Sequence, residues 1–432
     1  MMKRSDNTKQ NAKILILSAY FPPEPMPTET LQFQLAHAFV EAGFHVEVIC
    51  PIPSRGITDE VRTAYRNKKR EALKDGKFVI TRFYMPKEGK NPISRALRYF
   101  LQNIAHYWKA IKVKDADVLF CASTPPTQGA LCALVKRKLK IPLVYNLQDI
   151  FPDSMVNAGM TRKGSFLWKL GRKVEDYTYR KADRIIAISQ EGKRNILAKG
   201  VPEDKVEVIY NWANTGIVPV PREQNRLFDE LGLDREKFYV TYAGNLGPVQ
   251  NVGLLLDAAD LLKDQQDVQF VIFGAGAEAE ALAGRAADMS NVKLFPLMPQ
   301  DRLSEVYSLG DLSLVIARKN LGAAAMPSKT WSILAAGTPV LLSYDEGSEL
   351  WNLVEQNGCG VCAPADDAGQ LAEVISNAHA NQKSLDILAK NARVFAEKEV
   401  SFKACSNRHV LMVQTAISSG FMNARQEKQI QQ

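Results

Sequence analysis

A chain of 432 residues, 46% hydrophobic and 24% charged, has ordinary globular composition and is long enough for two or three domains, each with its own core. No apolar run approaches the ~20 residues needed to cross a bilayer, and the apolar start at 14–19 runs into Tyr20-Phe-Pro-Pro23 rather than a small-residue cleavage site, so the expectation is a cytosolic protein with neither a spanning helix nor a secretory leader. The net charge of +8 is uneven, with fifteen Lys/Arg against five Asp/Glu between Arg55 and Lys112. That excess suits an anionic surface, and no nucleic-acid reader motif accompanies it.

The first predicted elements are a short apolar strand at 14–18, a helix at 28–43 and a strand at 46–49. Four prolines stiffen the loop between the first two, where Glu24 is a candidate acceptor for a ligand hydroxyl and Thr28 a helix cap. A strand at 78–84 precedes a helix at 92–112 that carries Arg95, Arg98, Tyr99, Phe100, Tyr107, Trp108, Lys109 and Lys112. Basic and aromatic residues together suit the headgroup layer of an anionic membrane; the other reading is an amphipathic helix with its aromatics in the core. Asp115-Ala-Asp117 precedes the strand at 118–121, the wrong end for a metal-holding pair, and reads as a turn.

A helix at 126–139 and a strand at 143–147 follow, then Gln148-Asp-Ile-Phe-Pro-Asp-Ser154. Asp149 stands directly at that strand's carboxyl end, where ligands of open α/β sheets bind. Asp153 and Ser154 read as helix caps. A helix at 166–180 and a strand at 185–188 close the first half, and the proline-rich, charged stretch 214–237 reads as a connection.

Alternation restarts with strands at 239–243, 268–273, 292–295 and 312–316 and helices at 252–262, 278–287 and 301–309. Gly244 and Gly247 open the first βα loop, with Asn245 and Gln250 beside them, and Gly274 and Gly276 open a second. Such glycines let backbone N–H groups approach an anion. Arg318 and Lys319 follow the 312–316 strand. Pro327 and Ser328 start a helix that Gly337 stops, before a strand at 340–342. Lys329 thus falls in the first turn, where a cation is disfavoured by roughly 0.3–1 kcal/mol unless an anion binds there. After Gly360 come a short strand, helices at 367–379 and 385–397, a last helix at 402–421 and a polar tail at 423–432 expected to be disordered. The six cysteines, including Cys359-Gly-Val-Cys362, read as buried thiols. Short apolar strands alternating with helices give an α/β chain of two doubly wound, Rossmann-like domains facing a cleft, at 13–213 and 238–400, with 401–432 as terminal helix and tail.

These loops, in this order, resemble the family 4 glycosyltransferases of the GT-B fold. The likeness is carried by SAYFPPEP (18–25), LQDIFPDS (147–154), YRKADRIIAISQ (179–190), YAGNLGPVQN (242–251), FGAGAE (273–278) and MPSKTWSILAAGTPVL (326–341). It is most similar to the WbuB-type branch of surface-polysaccharide synthesis, some of whose members transfer fucosamine-type sugars. The resemblance implies a retaining, metal-independent transferase with no cofactor, moving a sugar from a nucleotide diphosphate sugar, a UDP-sugar first, to a lipid-linked glycan acceptor at the inner membrane face. It assigns catalysis to Asp149, Lys329 and Arg318, and donor binding to Gly244, Asn245, Gly247, Gln250, Gly274, Gly276, Met298, Ser328 and Ser332. Glu24 and Thr28 fall to the acceptor or sugar. The chain departs from the family where an Arg and a Lys are common, at Asn245 and nearby; where two Glu are common, at Ala324 and Ser332; and at Met26-Pro27-Thr28, where a double glycine is common. Two other readings stay open: a UDP-sugar 2-epimerase on the same scaffold, and a transferase-like subunit of a membrane assembly that has lost its chemistry.

Overall fold

The computed structural model describes residues 11–25, 27–89, 91–157, 159–320 and 326–430. Met26 and Ala324 lie outside the described residues, as do residues 431–432 of the tail. The chain divides into two compact units, one formed by the chain up to Ile209 together with Ser406 onward, the other by Tyr210–Cys405.

The first unit is built on eight strands: β1 (Lys13–Leu17), β2 (His45–Pro51), β3 (Arg70–Leu73), β4 (Phe78–Phe83), β5 (Val118–Ala122), β6 (Leu143–Leu147), β7 (Arg184–Ala187) and β8 (Val206–Val208). Their order is β3-β4-β2-β1-β5-β6-β7-β8, parallel throughout except for β3, which pairs antiparallel with β4. Central strands such as β5 and β6 are buried at every position. That continuous burial is why they read as apolar runs rather than alternating ones. The short edge strands β3 and β8 carry charges (Arg-Glu-Ala-Leu and Val-Glu-Val), so no apolar run announced them.

The second unit has six parallel strands: β9 (Phe238–Asn245), β10 (Val268–Ala275), β11 (Val292–Phe295), β12 (Leu312–Ile316), β13 (Val340–Tyr344) and β14 (Gly360–Pro364). They run β11-β10-β9-β12-β13-β14. Side chains of β9 alternate between two cores, Tyr239 and Ala243 into one, Phe238, Val240 and Tyr242 into the other, so the sheet is covered on both faces. Two doubly wound, Rossmann-like units are therefore present. In the second, the chain leaves β9 for one side of the sheet and returns at β12 on the other. That topological switch point is where such sheets bind ligands.

Two expectations are corrected. The 214–237 stretch is part of the second unit, not a free connection. Val218 and Val220 donate backbone N–H bonds to Ser304 and Ser308, Arg222 pairs with Asp311 at 2.6 Å, and Leu227 and Phe228 are wholly buried in the core. A single apolar pair among charges carries too little periodicity to be seen. The tail at 423–432 is not disordered as a whole, because the last helix runs Phe402–Ile430. Its Ala, Arg, Gln, Glu and Lys are strong helix formers, and no Gly or Pro interrupts them.

Phe228→Ala should lower the stability of the second unit by ~3–5 kcal/mol in urea denaturation, the cost of emptying a buried phenyl site. A change near zero would mean the segment is a linker after all.

Candidate functional site

The switch point of the second sheet is shaped by glycines that nothing larger can replace without movement. Gly244, the last residue but one of β9, has φ +149°, and a Cβ there would lie 2.7 Å from Lys329 Nζ. A Cβ on Gly276, at φ +156°, would lie 2.4 Å from the Leu246 carbonyl oxygen, and one on Gly274 would strike the Leu246 side chain. Leu246 is fully buried, donates its N–H to the Ala275 carbonyl and accepts from the Glu278 N–H, so it staples the two Gly-rich loops together. Beyond it, Asn245 Nδ2 donates to Gln250 Oε1 at 2.9 Å, and a Cβ on Gly247 would crowd both side chains. Gly244, Asn245, Gly247, Gln250, Gly274 and Gly276 thus form one contiguous surface.

Lys329 approaches that surface from helix Ser328–Ala335, whose N-cap is Pro327. Trp331 and Thr330 are buried, which anchors the first turn and turns Lys329 toward the β9 loop. The Nζ is shielded from solvent and has no hydrogen-bond partner among the described residues. It lies 4.0 Å from the centroid of the Tyr242 ring. Tyr242 in turn donates its hydroxyl to the Asn245 carbonyl at 2.6 Å. Burial lowers the Lys329 amine from 10.5 to about 8. A displacement of that size corresponds to roughly 3 kcal/mol between the protonation states. It exceeds the ~0.3–1 kcal/mol opposition of the helix dipole, so desolvation is the larger conflict. A bound anion would relieve both.

The other expected residues of this unit lie nearby or beneath. Arg318 donates Nε to the Pro248 carbonyl at 2.6 Å and its backbone N–H to Val249, so it props the β9 loop with its side chain still exposed. Lys319 is exposed and anchored through its backbone to Asp366. Ser328 is exposed at the helix start; Ser332, one turn on, is buried in the helix. Met298 is half-buried against the core that contains Phe273 and Trp331.

In the first unit, Asp149 follows β6, and its backbone N–H is held by Ser123 Oγ at 3.0 Å. The residue has open surface, yet the protein behind its carboxyl raises it above the ordinary value, with burial as the sole cause. Glu24 is a correction. It is buried, and its carboxylate accepts backbone N–H bonds from Phe21, Ser54 and Arg55 at 2.8–3.0 Å, so it ties two loops together instead of awaiting a ligand hydroxyl. Thr28 lies in helix Pro27–Glu41, and its side chain is outside the described residues. Asp115 pairs with Lys13 Nζ, and Asp117 accepts the Lys13 backbone N–H, which gives both a turn-forming role. Cys359 and Cys362 are free thiols pushed up to about 12 by burial.

Sequence reasoning missed Tyr242 and Leu246. A strand-end tyrosine two residues before a glycine reads as core, and only the lysine's position gives it a second role.

Residues 28–217 match the family described as Glycosyltransferase Family 4, and residues 223–395 the family described as Glycosyl transferases group 1. The chain is 26% identical over 408 residues to WcaI of Escherichia coli K12, described as a putative colanic acid biosynthesis glycosyl transferase, spanning 90% of this chain and 97% of that one. It is 26% identical over 298 residues to WbjE of Pseudomonas aeruginosa, described as a probable glycosyltransferase, spanning 68% and 74%. Among solved structures it is similar to Anabaena HepE in complex with UDP, with a TM-score of 0.65 at 16% identity over 95% of this chain and 100% of that one, a likeness of fold alone.

Gly244→Ala should cost only ~1 kcal/mol of stability, because the new methyl meets the flexible end of a lysine and the strain is that of a left-handed φ. It should also displace the Lys329 amine from the Tyr242 ring and return its pKa toward 10.5, read by side-chain NMR. An unmoved lysine would show that the glycine is not what admits it.

Proposed function

The chain belongs to the family 4 glycosyltransferases of the GT-B fold, and from that premise we propose that it moves a sugar from a UDP-sugar to a lipid-linked glycan acceptor in polysaccharide synthesis, with retention at the anomeric carbon. The observation that carries the reading is Lys329. A buried amine with no hydrogen-bond partner among the described residues, at a helix N-terminus and over a glycine-lined loop, suits an anion. A nucleotide diphosphate supplies it. Descriptions of WcaI as a colanic acid enzyme and of HepE bound to UDP favour a polysaccharide product and a uridine donor. An N-acetylated deoxyhexosamine of fucosamine type is the first donor to test.

In this reading the bond from the anomeric carbon to the diphosphate oxygen breaks as positive charge builds on the sugar. Lys329, the first-turn N–H groups and Arg318 stabilise the negative charge on the departing diphosphate. One such preorganised donor contributes ~3–4 kcal/mol to the barrier. The acceptor hydroxyl attacks from the side the diphosphate leaves, and its proton passes to a diphosphate oxygen. The lysine, the guanidinium and the helix end supply the positive charge, so the reading calls for no metal. Asp149, with its raised carboxyl in the first unit, is assigned to the transferred sugar or the acceptor.

The membrane contact belongs to helix Pro92–Ala110. Among the described residues no helix is long and apolar enough to cross a membrane. This helix instead exposes Leu97, Phe100, Leu101, Ile104 and Trp108, each more than 40% accessible and spaced to share one face. Arg98 does not face outward as expected. It is 3% exposed and donates to Pro86, Ser54 and Gln102. The surface offered to a bilayer is thus apolar in the middle, with Lys109 and Lys112 near the helix end, which suits an anionic interface.

A turnover assay with UDP-sugars and lipid-linked acceptors separates the readings. Transfer supports this one, 2-epimerisation of the sugar without transfer supports the epimerase, and neither supports a subunit without chemistry. Lys329→Ala should lower turnover at least ~100-fold with the fold intact. UDP affinity should be flat with pH well below 8, where the amine is an ammonium, and should fall above about 8 by at most ~tenfold per pH unit as it loses its proton. Lys329→Met should bind weakly with no such fall. Phe100→Ser with Trp108→Ser should weaken binding to anionic vesicles at least ~10-fold in sedimentation without lowering the melting temperature, given ~1.5–3 kcal/mol per buried aromatic. Unchanged binding would remove the helix from the membrane.

A further inference from the structure

The first unit holds a second polar concavity that the transfer chemistry leaves unused. It is a cleft of ≈ 280 Å³ between helix Asp59–Asn67 and the segment after β4, lined by Asp59, Arg62, Arg66, Tyr84 and Lys87 among others. Small-molecule sites span ~300–1,000 Å³, so the cleft has room for a headgroup and not for a nucleotide sugar. Both walls follow the carboxyl ends of strands, β2 on one side and β4 on the other.

Its charge is unbalanced. Arg62 is 4% exposed, and its guanidinium donates to the carbonyls of Pro53 and Met85. Both partners are neutral, and the acid facing this buried cation among the described lining residues is Asp59, which also feels Arg66. Arg66 lies 5.7 Å from the centroid of the exposed Tyr84 ring. Lys87 pairs with Asp59, the one carboxylate among the described lining residues. Three cations thus face a single anion. Desolvation first, then the repulsion of Arg66 and Arg98, hold the Arg62 guanidinium below its usual range. A group with two or more negative oxygens would balance the set through charge-assisted hydrogen bonds.

The cleft adjoins the apolar helix. Arg98, from the second turn of helix Pro92–Ala110, donates Nε to the carbonyl of Pro86 at 3.2 Å, and Pro86 is itself a wall of the cleft. The exposed stripe begins one residue earlier, at Leu97. A phosphate seated among Arg62, Arg66 and Lys87 would therefore sit beside the surface that meets hydrocarbon.

We infer that this cleft binds the terminal phosphate or diphosphate of a lipid, the anionic end of the lipid-linked acceptor, while helix Pro92–Ala110 lies against its chain. The inference rests on the reading of a lipid-linked acceptor given above. The probes are phosphatidylcholine vesicles doped either with phosphatidic acid, which has a terminal phosphate, or with phosphatidylglycerol, whose phosphate is capped, matched in surface charge. The wild-type chain should prefer phosphatidic acid at least ~10-fold, the scale of one or two charge-assisted contacts. Arg66→Ala with Lys87→Ala, both side chains at the surface, should erase the preference. Lys109→Ala with Lys112→Ala removes two cations elsewhere and should weaken both vesicle types alike, keeping the preference. The melting temperature should be unchanged in both variants, which checks the fold of the first unit. Inorganic phosphate at matched concentration should not displace the vesicles. Equal wild-type binding to the two vesicle types would overturn the inference and leave the membrane reading standing. The inference also fails if the cleft variant behaves like the Lys109/Lys112 control, or if free phosphate competes as well as the lipid. A wild type that ignores both vesicle types would overturn the membrane reading as well.

Discussion

An ammonium enclosed with no hydrogen-bond partner among the described residues is expensive to build, and the switch point of the second unit is arranged around one. Lys329 rests over the Tyr242 ring, the Tyr242 hydroxyl holds the Asn245 carbonyl, and Gly244 leaves the space the amine occupies. Leu246 then clamps the β9 loop to the β10 loop. Each contact limits where the lysine can go, and none neutralises it. Cation–π attraction of ~1–2 kcal/mol recovers part of the lost hydration. Burial nonetheless holds the amine below its ordinary value. A site left electrostatically incomplete in this way favours the anion that completes it, which is the property a transferase needs at the group that must leave.

The two units carry different physics. The second concentrates positive charge at a sheet's switch point, with glycines that bring backbone close to a ligand. The first combines an exposed apolar helix face with a basic cleft at one end of it. Helix Pro92–Ala110 shows how the exposed apolar surface is assembled. Its inward arginine, Arg98, bonds to the loops of the first unit, so the apolar residues are held outward by a buried cation and not by chance.

Much of this was legible in the residues. Continuous apolar runs announced the central strands, and Pro327-Ser328 with Gly337 marked the helix that bears Lys329. What stayed hidden shares one cause: its meaning depends on a neighbour distant in sequence. Glu24 read as a free loop acid until the N–H groups of Ser54 and Arg55 were placed against it. Arg98 read as a surface cation until Pro86 and Ser54 enclosed it. Leu227-Phe228 read as part of a linker because two apolar residues among charges have no period. Tyr242 read as core, which it is, while also carrying the lysine.

The central claim is that the Lys329 ammonium, made less basic by burial, is the group that receives a diphosphate. Side-chain NMR of labelled lysine, assigned by comparison with Lys329→Met, measures it directly. The free protein should show one amine titrating near 8, and saturating UDP should raise it above the ordinary 10.5. An amine that titrates at its ordinary value in the free protein, or one that UDP leaves where it was, would contradict the account.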